Sequence, residues 1–413
     1  MRRLLPLSIV AAVTAVTVLV GAAPAAAEPI GGPLLTGSDV IVDPGPDADP
    51  LPEVPVTAWV LADMDTGAIL AAKAPHVPRP PASVLKTLTL LTLTQSLEPD
   101  LVYTTTYDDV AVEGSRVGLV EDATYTARDL FLCLMMQSGN DCASALAAAN
   151  GGLELSVAQM NEEAQRLQAY DTVAKNTSGL PAEGQVSSAY DLALIAREGL
   201  ARPDFFEYVN TRVVEDFPGY MPAQPGDPRP TMPIATQNPL FIQGYEGAIG
   251  VKTGWTTEAG RTFVGAAERG GTSLVVTLLN IEGEIYPSAS ALLDWGFANV
   301  DAVTPVGYLV DPIDPDSTAT DPSDSGSVPQ NDENGGTAPA EDGEGITATA
   351  ASTAAASTPW GWVWTLIGAM VVGLLLVVLG LRSLRGPAPR TGGRRARVSE
   401  AERTEDEHDF ARG

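Results

Sequence analysis

The segment 83–97 restricts the possible folds of this chain more than any other. It contains no glycine or proline, and its leucines surround almost the whole circumference of a helix. They are Leu85, Leu88, Leu90, Leu91, Leu93 and Leu97. Because a helix that is apolar on nearly every side has to be surrounded by other elements, we predict a buried helix at the centre of the fold.

Strands are predicted at both ends of the folded part, with helices between them. Alternating apolar residues and turn residues predict strands at 57–63, 68–73, 249–254, 261–268 and 272–280. Helical patterns occupy 126–136, 141–149, 155–168, 188–200 and 288–297. This order indicates an α+β fold in which helices flank one antiparallel sheet. Both ends of the chain contribute strands to this sheet, and a helical insertion separates those strands in the sequence.

Two apolar segments lie outside this folded part. Arg2 and Arg3 precede the apolar residues 4–20, and three alanines end at residue 27, which predicts a cleaved signal peptide at 1–27. Residues 360–381 carry no charge and, at roughly 33 Å, could cross a bilayer as one C-terminal transmembrane helix. Arginines follow in the tail 382–413, so the positive-inside rule places this tail in the cytoplasm. We therefore expect a single-pass protein of the cell membrane whose folded part is outside the cell.

The remaining segments are polar and are predicted to be disordered, since they are poor in large apolar residues. They are a lead-in at 28–53 and an acidic linker at 309–359, which leave one folded domain at 54–308. The formal net charge is −28, and the acidic excess lies in residues 28–359. An acidic body disfavours nucleic acid as a partner, because nucleic acid is bound mainly through its phosphates.

Few side chains in this sequence could act as a catalytic base. Of the two histidines, His408 lies in the predicted tail and His76 in a proline-rich turn, which disfavours a Ser-His-Asp triad. The two cysteines and two histidines lack the spacing of zinc ligands, so neither a metal nor a cofactor is expected. Lysine remains as the candidate base.

Ser83 and Lys86 stand three residues apart at the start of the predicted central helix, so their side chains share one face. A lysine among apolar residues has its ammonium form disfavoured and can take a proton from a serine near neutral pH. The structural alternative is a capping serine beside a lysine that extends to solvent.

Two further motifs could complete a site. Ser138-Gly139-Asn140 lies in a break between two predicted helices, where a hydroxyl could transfer protons and an amide could hold a carbonyl group. A helix cap with a turn glycine is the alternative. Lys252-Thr253-Gly254 lies on a predicted strand, where glycine lets a peptide approach the backbone and lysine could bind an anionic end. An ordinary lysine of an edge strand is the alternative.

The order of these motifs, S-x-x-K, S-x-N and K-T-G, resembles that of penicillin-binding proteins and serine β-lactamases. Over about residues 54–300 the chain resembles the low-molecular-weight penicillin-binding proteins, the serine D-alanyl-D-alanine carboxypeptidases of peptidase family S11. Segments outside the motifs share this resemblance, at 80–83, 113–115, 125–130 and 292–297. The resemblance implies a β-lactamase/transpeptidase-like fold, peptidoglycan stem peptides as substrates and β-lactam antibiotics as acylating ligands.

The resemblance also implies which residues react. Ser83 would attack the carbonyl carbon of a terminal D-Ala-D-Ala bond and form an acyl-enzyme. Lys86 would be the general base, and Ser138 would relay a proton towards the departing D-alanine.

Other residues would bind the substrate, again by resemblance. Asn140 would orient the substrate amide and Lys86. Lys252 and Thr253 would bind the terminal carboxylate beside Gly254. The backbone N–H groups of Ser83 and Trp255 would form the oxyanion hole.

Three places depart from the family pattern. Residues 176–180 lack the proline that commonly follows the asparagine, Gln185 stands where histidine is frequent, and Trp255 stands where histidine or tyrosine is usual. These departures concern substrate preference and rate more than the type of reaction.

Alternatives stay open at this point. A serine β-lactamase of class A would need a glutamate in an E-x-x-L-N stretch, which does not occur between Asn140 and Lys252. A catalytically silent protein that binds or senses the cell wall is the alternative from another class. Cys133 and Cys142 flank the Ser138 motif and form either a disulfide, which export permits, or two separate buried side chains.

Overall fold

The structure, a computed structural model, describes residues 28–220 and 227–314. The predicted signal peptide, the transmembrane helix, the tail and most of the acidic linker lie outside these residues. Within the two ranges, no helix combines the length and the apolar character that crossing a membrane requires.

The described residues form twelve strands and nine α-helices. In chain order the strands are β1 (Val40–Pro44), β2 (Val56–Asp63), β3 (Ala68–Lys73), β4 (Val102–Thr104), β5 (Thr124–Thr126), β6 (Val213–Pro218), β7 (Thr231–Ala235), β8 (Ala248–Thr256), β9 (Gly260–Arg269), β10 (Thr272–Ile281), β11 (Val303–Thr304) and β12 (Gly307–Tyr308). The helices are α1 (Lys86–Leu93), α2 (Tyr107–Val110), α3 (Ala127–Met136), α4 (Asn140–Ala149), α5 (Leu153–Arg166), α6 (Ala189–Leu200), α7 (Pro203–Asn210), α8 (Pro239–Ile242) and α9 (Ile285–Asn299).

One antiparallel sheet organises the fold. Its strand order is β11-β1-β3-β2-β10-β9-β8, and β12 pairs with β3. The early hairpin β2–β3 meets the late hairpin β9–β10 where Leu61 lies opposite Val276. The prediction that both ends of the chain complete one sheet around a helical insertion is therefore confirmed. β8 is the last strand of this order.

Helices cover both faces of the sheet. Val275 belongs to a core shared with Leu88 of α1 and with α3 to α6, whereas Val276 belongs to a second core with Leu292 of α9. Because side chains alternate along a strand, strands that are buried on both faces are apolar throughout. This explains why residues 274–279 of β10 are apolar, with Thr277 as the one exception.

The central helix is shorter than predicted. All eight residues of α1 are buried, as expected, but a 3-10 turn at Ala82–Leu85 precedes it, and it ends at Leu93 instead of residue 97. Thr94 Oγ1 donates to Leu90 O at 2.9 Å and Gln95 Nε2 donates to Leu91 O at 3.0 Å. These side chains satisfy the last carbonyl groups of the helix and end it, which residue hydrophobicity alone does not predict.

The prediction of a disordered lead-in at 28–53 was wrong. β1 pairs with both β3 and β11, so it lies inside the sheet. Asp49 accepts a hydrogen bond at 2.9 Å from Trp295 Nε1 through its carbonyl oxygen. The edge of β3 would otherwise expose unpaired N–H and C=O groups, and the short apolar run in β1 covers it.

The two ends of the described chain meet at Tyr190 on α6. Its hydroxyl donates to Tyr308 O at 2.9 Å and accepts from Val310 N at 3.2 Å. Its ring lies 4.5 Å from that of His76, whose Nε2 contacts Ile30 O at 3.1 Å. The ordered domain therefore extends beyond the predicted limits of 54 and 308 at both ends.

A disulfide joins Cys133 of α3 to Cys142 of α4. Both cysteines are fully buried. The bond closes a short loop that contains Ser138, whose φ of 58° is left-handed. Of the two alternatives left open for these cysteines, the structure has the disulfide.

Removing the lead-in should destabilise the domain. A chain that begins at Val54 lacks β1, and we expect its thermal midpoint to lie about 5–10 °C below that of a chain that begins at Glu28. Differential scanning calorimetry of the two chains measures this shift. Equal midpoints would contradict the structural role of β1.

Removing the disulfide should also lower stability. A cross-link over a loop of this length contributes about 2–3 kcal/mol, so Cys133→Ala/Cys142→Ala should unfold roughly 5–10 °C lower than the oxidised protein. The wild-type chain treated with a reductant during unfolding is the matched control and should resemble the variant. A midpoint that neither treatment changes would argue against the bond.

Candidate active site

Ser83 lies where the start of the central helix touches the edge of the sheet. It belongs to the 3-10 turn Ala82–Leu85, which packs against β8. A Cβ atom on Gly254 of β8 would lie 2.8 Å from Ser83 N and 3.0 Å from Val84 N. Only glycine lets the strand approach this closely, so the K-T-G glycine fixes the distance between the two motifs.

Lys86 connects three parts of the site through its ammonium nitrogen. Its Nζ lies 3.0 Å from Ser83 Oγ, 2.7 Å from Asn140 Oδ1 and 2.6 Å from Ser178 O. The amide oxygen of Asn140 and the carbonyl oxygen of Ser178 can only accept hydrogen bonds. A neutral amine has two protons for these acceptors, and its lone pair then faces the hydroxyl of Ser83.

The surroundings of Lys86 favour this neutral form. The side chain is completely buried, and burial lowers its pKa well below the ordinary value. The nearby charge of Lys252 lowers this pKa further, whereas Asp141 opposes the shift. The alternative of a lysine that extends to solvent is therefore wrong, and the burial of Lys86 favours the neutral form that a base for Ser83 requires.

Asn140 and the residue after it attach the loop 113–119 to the site. The Nδ2 atom of Asn140 donates to Glu113 O at 2.7 Å. The carboxylate of Asp141 accepts hydrogen bonds from the backbone N–H groups of Val117, Gly118 and Leu119. Asn140 therefore uses one end of its amide to hold a loop and the other end to hold Lys86.

Ser138 is buried between α3 and α4, two residues before Asn140. Within residues 28–220 and 227–314, its hydroxyl makes no hydrogen bond to another protein group. The disulfide and the left-handed backbone hold the residue in place. Its hydroxyl therefore remains available to a bound molecule.

The loop 176–180 presents the second acceptor to Lys86. Asn176 Oδ1 accepts from Gly179 N at 2.8 Å, which closes a local turn. A Cβ atom on Gly179 would lie 1.9 Å from Ala82 O, so the loop presses directly on the Ser83 turn. The carbonyl group of Ser178 reaches Lys86 because of this close packing.

Gln185 braces the same loop. Its Oε1 accepts from Lys175 N and Asn176 N at 3.0 and 3.1 Å, and its Nε2 donates to Leu180 O at 2.6 Å. Sequence reasoning treated Gln185 as a departure that concerns substrate preference. The structure instead makes it a positioning residue for the carbonyl group that binds Lys86. Sequence reasoning also missed Ser178 and Asp141, because contacts through a backbone carbonyl group or to a loop cannot be predicted from a motif.

Lys252 is the second buried lysine near Ser83. Its Nζ donates to Thr253 O at 2.8 Å. Burial lowers its pKa to about 7. Since an anion beside this group would restore its charge, the site favours a ligand with a carboxylate.

The remaining residues of this strand lie on alternate faces. Lys252 and Gly254 are buried towards the Ser83 turn, Thr253 is half-buried, and the side chain of Trp255 is 64% exposed. The structure therefore brings Ser83, Lys86, Asn140 and Lys252 together. The indole of Trp255 points to the other face of the strand.

His76 is engaged elsewhere. Its Nδ1 contacts Asp171 Oδ2 at 2.8 Å, and its Nε2 contacts Ile30 O, so neither ring nitrogen serves Ser83. His76, Asp171 and Asp191 form a group whose ligand atoms lie within 4.8 Å of one another, as metal ligands could. His76 ties the lead-in to α6 through its contacts with Ile30 O and the ring of Tyr190, and Asp191 accepts a hydrogen bond from Thr172 Oγ1 at 2.7 Å.

Taken together, the site holds a serine hydroxyl against a buried amine, with a second buried amine nearby. Such an arrangement can form a covalent ester with an acyl donor that carries a carboxylate. It needs no imidazole, because the desolvated lysine replaces the histidine of a triad.

Comparisons with known proteins agree with this chemistry. The sequence profile of the peptidase S11 family, described as D-alanyl-D-alanine carboxypeptidase, matches residues 46–283. D-alanyl-D-alanine carboxypeptidase DacB2 of Mycobacterium tuberculosis is 38% identical over 256 residues, which cover 60% of this chain and 84% of that protein.

Solved structures give the same result. A D-alanyl-D-alanine carboxypeptidase of Mycobacterium tuberculosis H37Rv is 36% identical with a TM-score of 0.59, covering 65% of this chain and 100% of that chain. Penicillin-binding protein 6B of Escherichia coli is 30% identical with a TM-score of 0.55, covering 62% of this chain and 81% of that chain. This chain therefore belongs to the peptidase S11 family of serine D-alanyl-D-alanine carboxypeptidases.

Proposed function

We propose that this protein removes the terminal D-alanine from peptidoglycan stem pentapeptides through an acyl-enzyme on Ser83. The observation that carries this proposal is the contact of 3.0 Å between Ser83 Oγ and a completely buried Lys86 Nζ. A buried amine that is held by two acceptors and faces one hydroxyl is a base aimed at a nucleophile.

The first half of the reaction forms the ester. The hydroxyl proton of Ser83 passes to the neutral amine of Lys86 while Oγ bonds to the carbonyl carbon of the penultimate D-alanine. The bond between this carbon and the nitrogen of the last D-alanine then breaks, and that nitrogen receives the proton through the hydroxyl of Ser138. Free D-alanine leaves, and the rest of the peptide stays on Ser83.

The second half returns the enzyme to its starting state. A water molecule bonds to the ester carbon through its oxygen and gives one proton to Lys86. The bond from Ser83 to the carbon breaks, and Ser83 recovers the proton. The shortened peptide leaves with a new carboxylate.

Backbone and side-chain groups bind the substrate during both steps. The N–H groups of Ser83 and Trp255 stabilise the oxyanion, an interaction for which one donor generally contributes about 3–4 kcal/mol. Lys252 and Thr253, beside Gly254, bind the terminal carboxylate, and Asn140 holds Lys86 in place. β-Lactam antibiotics acylate Ser83 in the same way, because they also present a reactive amide beside a carboxylate.

The protein acts outside the cytoplasmic membrane in this proposal. Three sequence features support it: the signal-peptide pattern at 1–27, the uncharged apolar segment 360–381 and the arginine-rich tail after it. The acidic linker separates the catalytic domain from this anchor and lets it reach peptides over an area of the wall.

Substitutions at the proposed nucleophile and base should separate their roles. Ser83→Ala should release no D-alanine from a pentapeptide and bind no labelled penicillin. Lys86→Met should keep the hydroxyl but slow acylation by about 10²–10⁴-fold, since a general base is lost. Lys175→Met, at an exposed lysine, is the matched control and should behave as the wild type.

The decisive measurement is D-alanine release by chromatography beside penicillin labelling. Release that persists in Ser83→Ala would overturn the proposal. Rapid turnover of a chromogenic cephalosporin, in place of a lasting acyl-enzyme, would favour the β-lactamase alternative. Labelling without release from any pentapeptide would favour a silent binding protein.

The pH dependence should follow Lys252. The substrate carboxylate binds the ammonium form of Lys252. This form is fully populated well below the pKa of about 7 and is lost as the pH rises through that value. Above pH 7 we expect kcat/KM for the pentapeptide to fall by up to about tenfold per pH unit, because KM rises. A pentapeptide whose C-terminus is a neutral amide is the control ligand and is measured as a competitive inhibitor. It should bind more weakly, and its inhibition constant should not change near pH 7. A constant KM from pH 6 to 9 would contradict the assignment.

A further inference from the structure

A small group of ligand atoms lies away from Ser83, where the lead-in meets α6. His76, Asp171 and Asp191 each offer one such atom, and these atoms lie within 4.8 Å of one another. The three residues come from the segment after β3, the segment after α5 and the first turn of α6. Because these segments are far apart in the sequence, the spacing of residue types does not predict this group.

The two ring nitrogens of His76 both face hydrogen-bond acceptors. Nε2 lies 3.1 Å from Ile30 O, and a carbonyl oxygen can only accept, so Nε2 carries a proton. Nδ1 lies 2.8 Å from Asp171 Oδ2, and an ionised carboxylate can also only accept. The lone pair of a neutral imidazole would therefore face a negative oxygen. This contact requires a positive charge, which is either a second proton on the ring or a metal ion.

Asp191 adds an acceptor that has no partner. The residue is completely buried, and Thr172 Oγ1 donates to its Oδ2 at 2.7 Å. Within residues 28–220 and 227–314, its other carboxylate oxygen, Oδ1, is buried and makes no hydrogen bond. Burial is the main cause that raises the pKa of this carboxyl to about 7, and the charge of Asp171 acts in the same direction. A buried oxygen without a partner is unfavourable, and a nearby cation would compensate it.

A proton and a metal ion would satisfy this group to different extents. A second proton on His76 would pair with Asp171 and leave Asp191 Oδ1 without a partner. A divalent cation bound by Nδ1 and by one oxygen of each carboxylate would compensate all three atoms. Histidines that bind metal usually donate their other ring N–H to a carbonyl group or a carboxylate, and Nε2 has this contact with Ile30 O.

We propose that His76, Asp171 and Asp191 bind a zinc ion. One imidazole nitrogen and two carboxylate oxygens are ligands that zinc accepts, and a water molecule would complete the tetrahedron. Calcium and magnesium are disfavoured, because these ions take oxygen ligands and not imidazole.

The position of the group suits this ion. The side chains of His76 and Asp171 are 17% and 27% exposed, so a hydrated ion can reach them from solvent. A tetrahedral zinc ion holds its ligand atoms about 3.3 Å apart, so the present arrangement needs only small side-chain rotations to bind it.

Bound zinc would connect two segments that lead to the active site. His76 lies on the segment that runs from β3 to Ser83, and Asp171 lies shortly before the loop 176–180. The ion would join both segments to the start of α6 and stabilise the domain. It would take no part in the reaction at Ser83, so this inference does not depend on the proposed function.

Thermal unfolding with and without zinc tests the proposal. The full chain is purified in detergent without a histidine tag, freed of metal with a chelator and measured at pH 7.5. Zinc chloride at about 100 times its dissociation constant should raise the thermal midpoint by about 5–10 °C. Titration calorimetry measures that constant and should find one ion per chain. Calcium or magnesium chloride at the same concentration should leave the midpoint unchanged.

Two variants connect the response to the three residues. His76→Gln and Asp191→Asn each remove one ligand and should weaken zinc binding by about 100-fold or more. Without metal, Asp191→Asn should be as stable as the wild type, because it replaces a buried carboxylate with a neutral amide of the same shape. Its midpoint therefore establishes that a variant without zinc binding is still folded. His408→Gln, at the other histidine of the chain, is the matched control and should keep the full response to zinc.

Three outcomes would overturn the proposal. A response to zinc that persists in both ligand variants, or an equal response to calcium, would mean that the acidic surface of the domain binds the ion. A midpoint of the wild type that zinc does not change would leave a second proton on His76 as the partner of Asp171. The measurements do not involve D-alanine release, so each outcome leaves the proposed function untouched.

Discussion

The burial of the Lys86 amino group is the constraint on which the rest of the site depends. A charged amine in an apolar core is costly unless it loses its proton or finds acceptors, and here it has two acceptors and one hydroxyl around it. Each partner comes from a different part of the chain. The loop at 176–180, the junction of α3 and α4 and the turn before α1 must all be in place for one nitrogen to be satisfied.

Much of the surrounding structure holds those three parts in position. The disulfide fixes the junction between α3 and α4, Gln185 supports the loop that carries Ser178, and Gly254 lets β8 approach Ser83. None of these groups reacts with the proposed substrate. They hold the hydroxyl of Ser83 and the amine of Lys86 in direct contact, so that no histidine is needed between the two groups.

The sequence alone predicted the elements that have strong periodic patterns. The predicted strand at 68–73 coincides with β3, and the predicted helices at 126–136 and 188–200 lie within one residue of α3 and α6 at each end. The family resemblance also implied that Asn140 holds Lys86, and the structure contains this contact at 2.7 Å. Lys86 and Asn140 are far apart in the chain, and no local pattern joins them.

The failures have equally physical causes. The lead-in has a composition typical of disorder, yet β1 is ordered by the edge of β3, which no local pattern in residues 28–53 reveals. The end of α1 depends on side chains that bind its final carbonyl groups. Gln185 and Ser178 act through backbone atoms, so their importance is invisible in residue types. Positions whose role is set by partners elsewhere in the chain are the ones that sequence reasoning misses.

The pairing of β2 with β10 has a consequence for the order in which the domain can form. β2 lies near the start of the domain, and its partner ends at Ile281, so the centre of the sheet joins segments separated by most of the polypeptide. During synthesis from the N-terminus, β2 and β3 have an unpaired edge until β10 has emerged. The helices between them cannot yet settle on a finished sheet. Structures dominated by such distant pairings fold slowly, so nearly the whole domain must leave the ribosome before the lysine at its centre becomes enclosed.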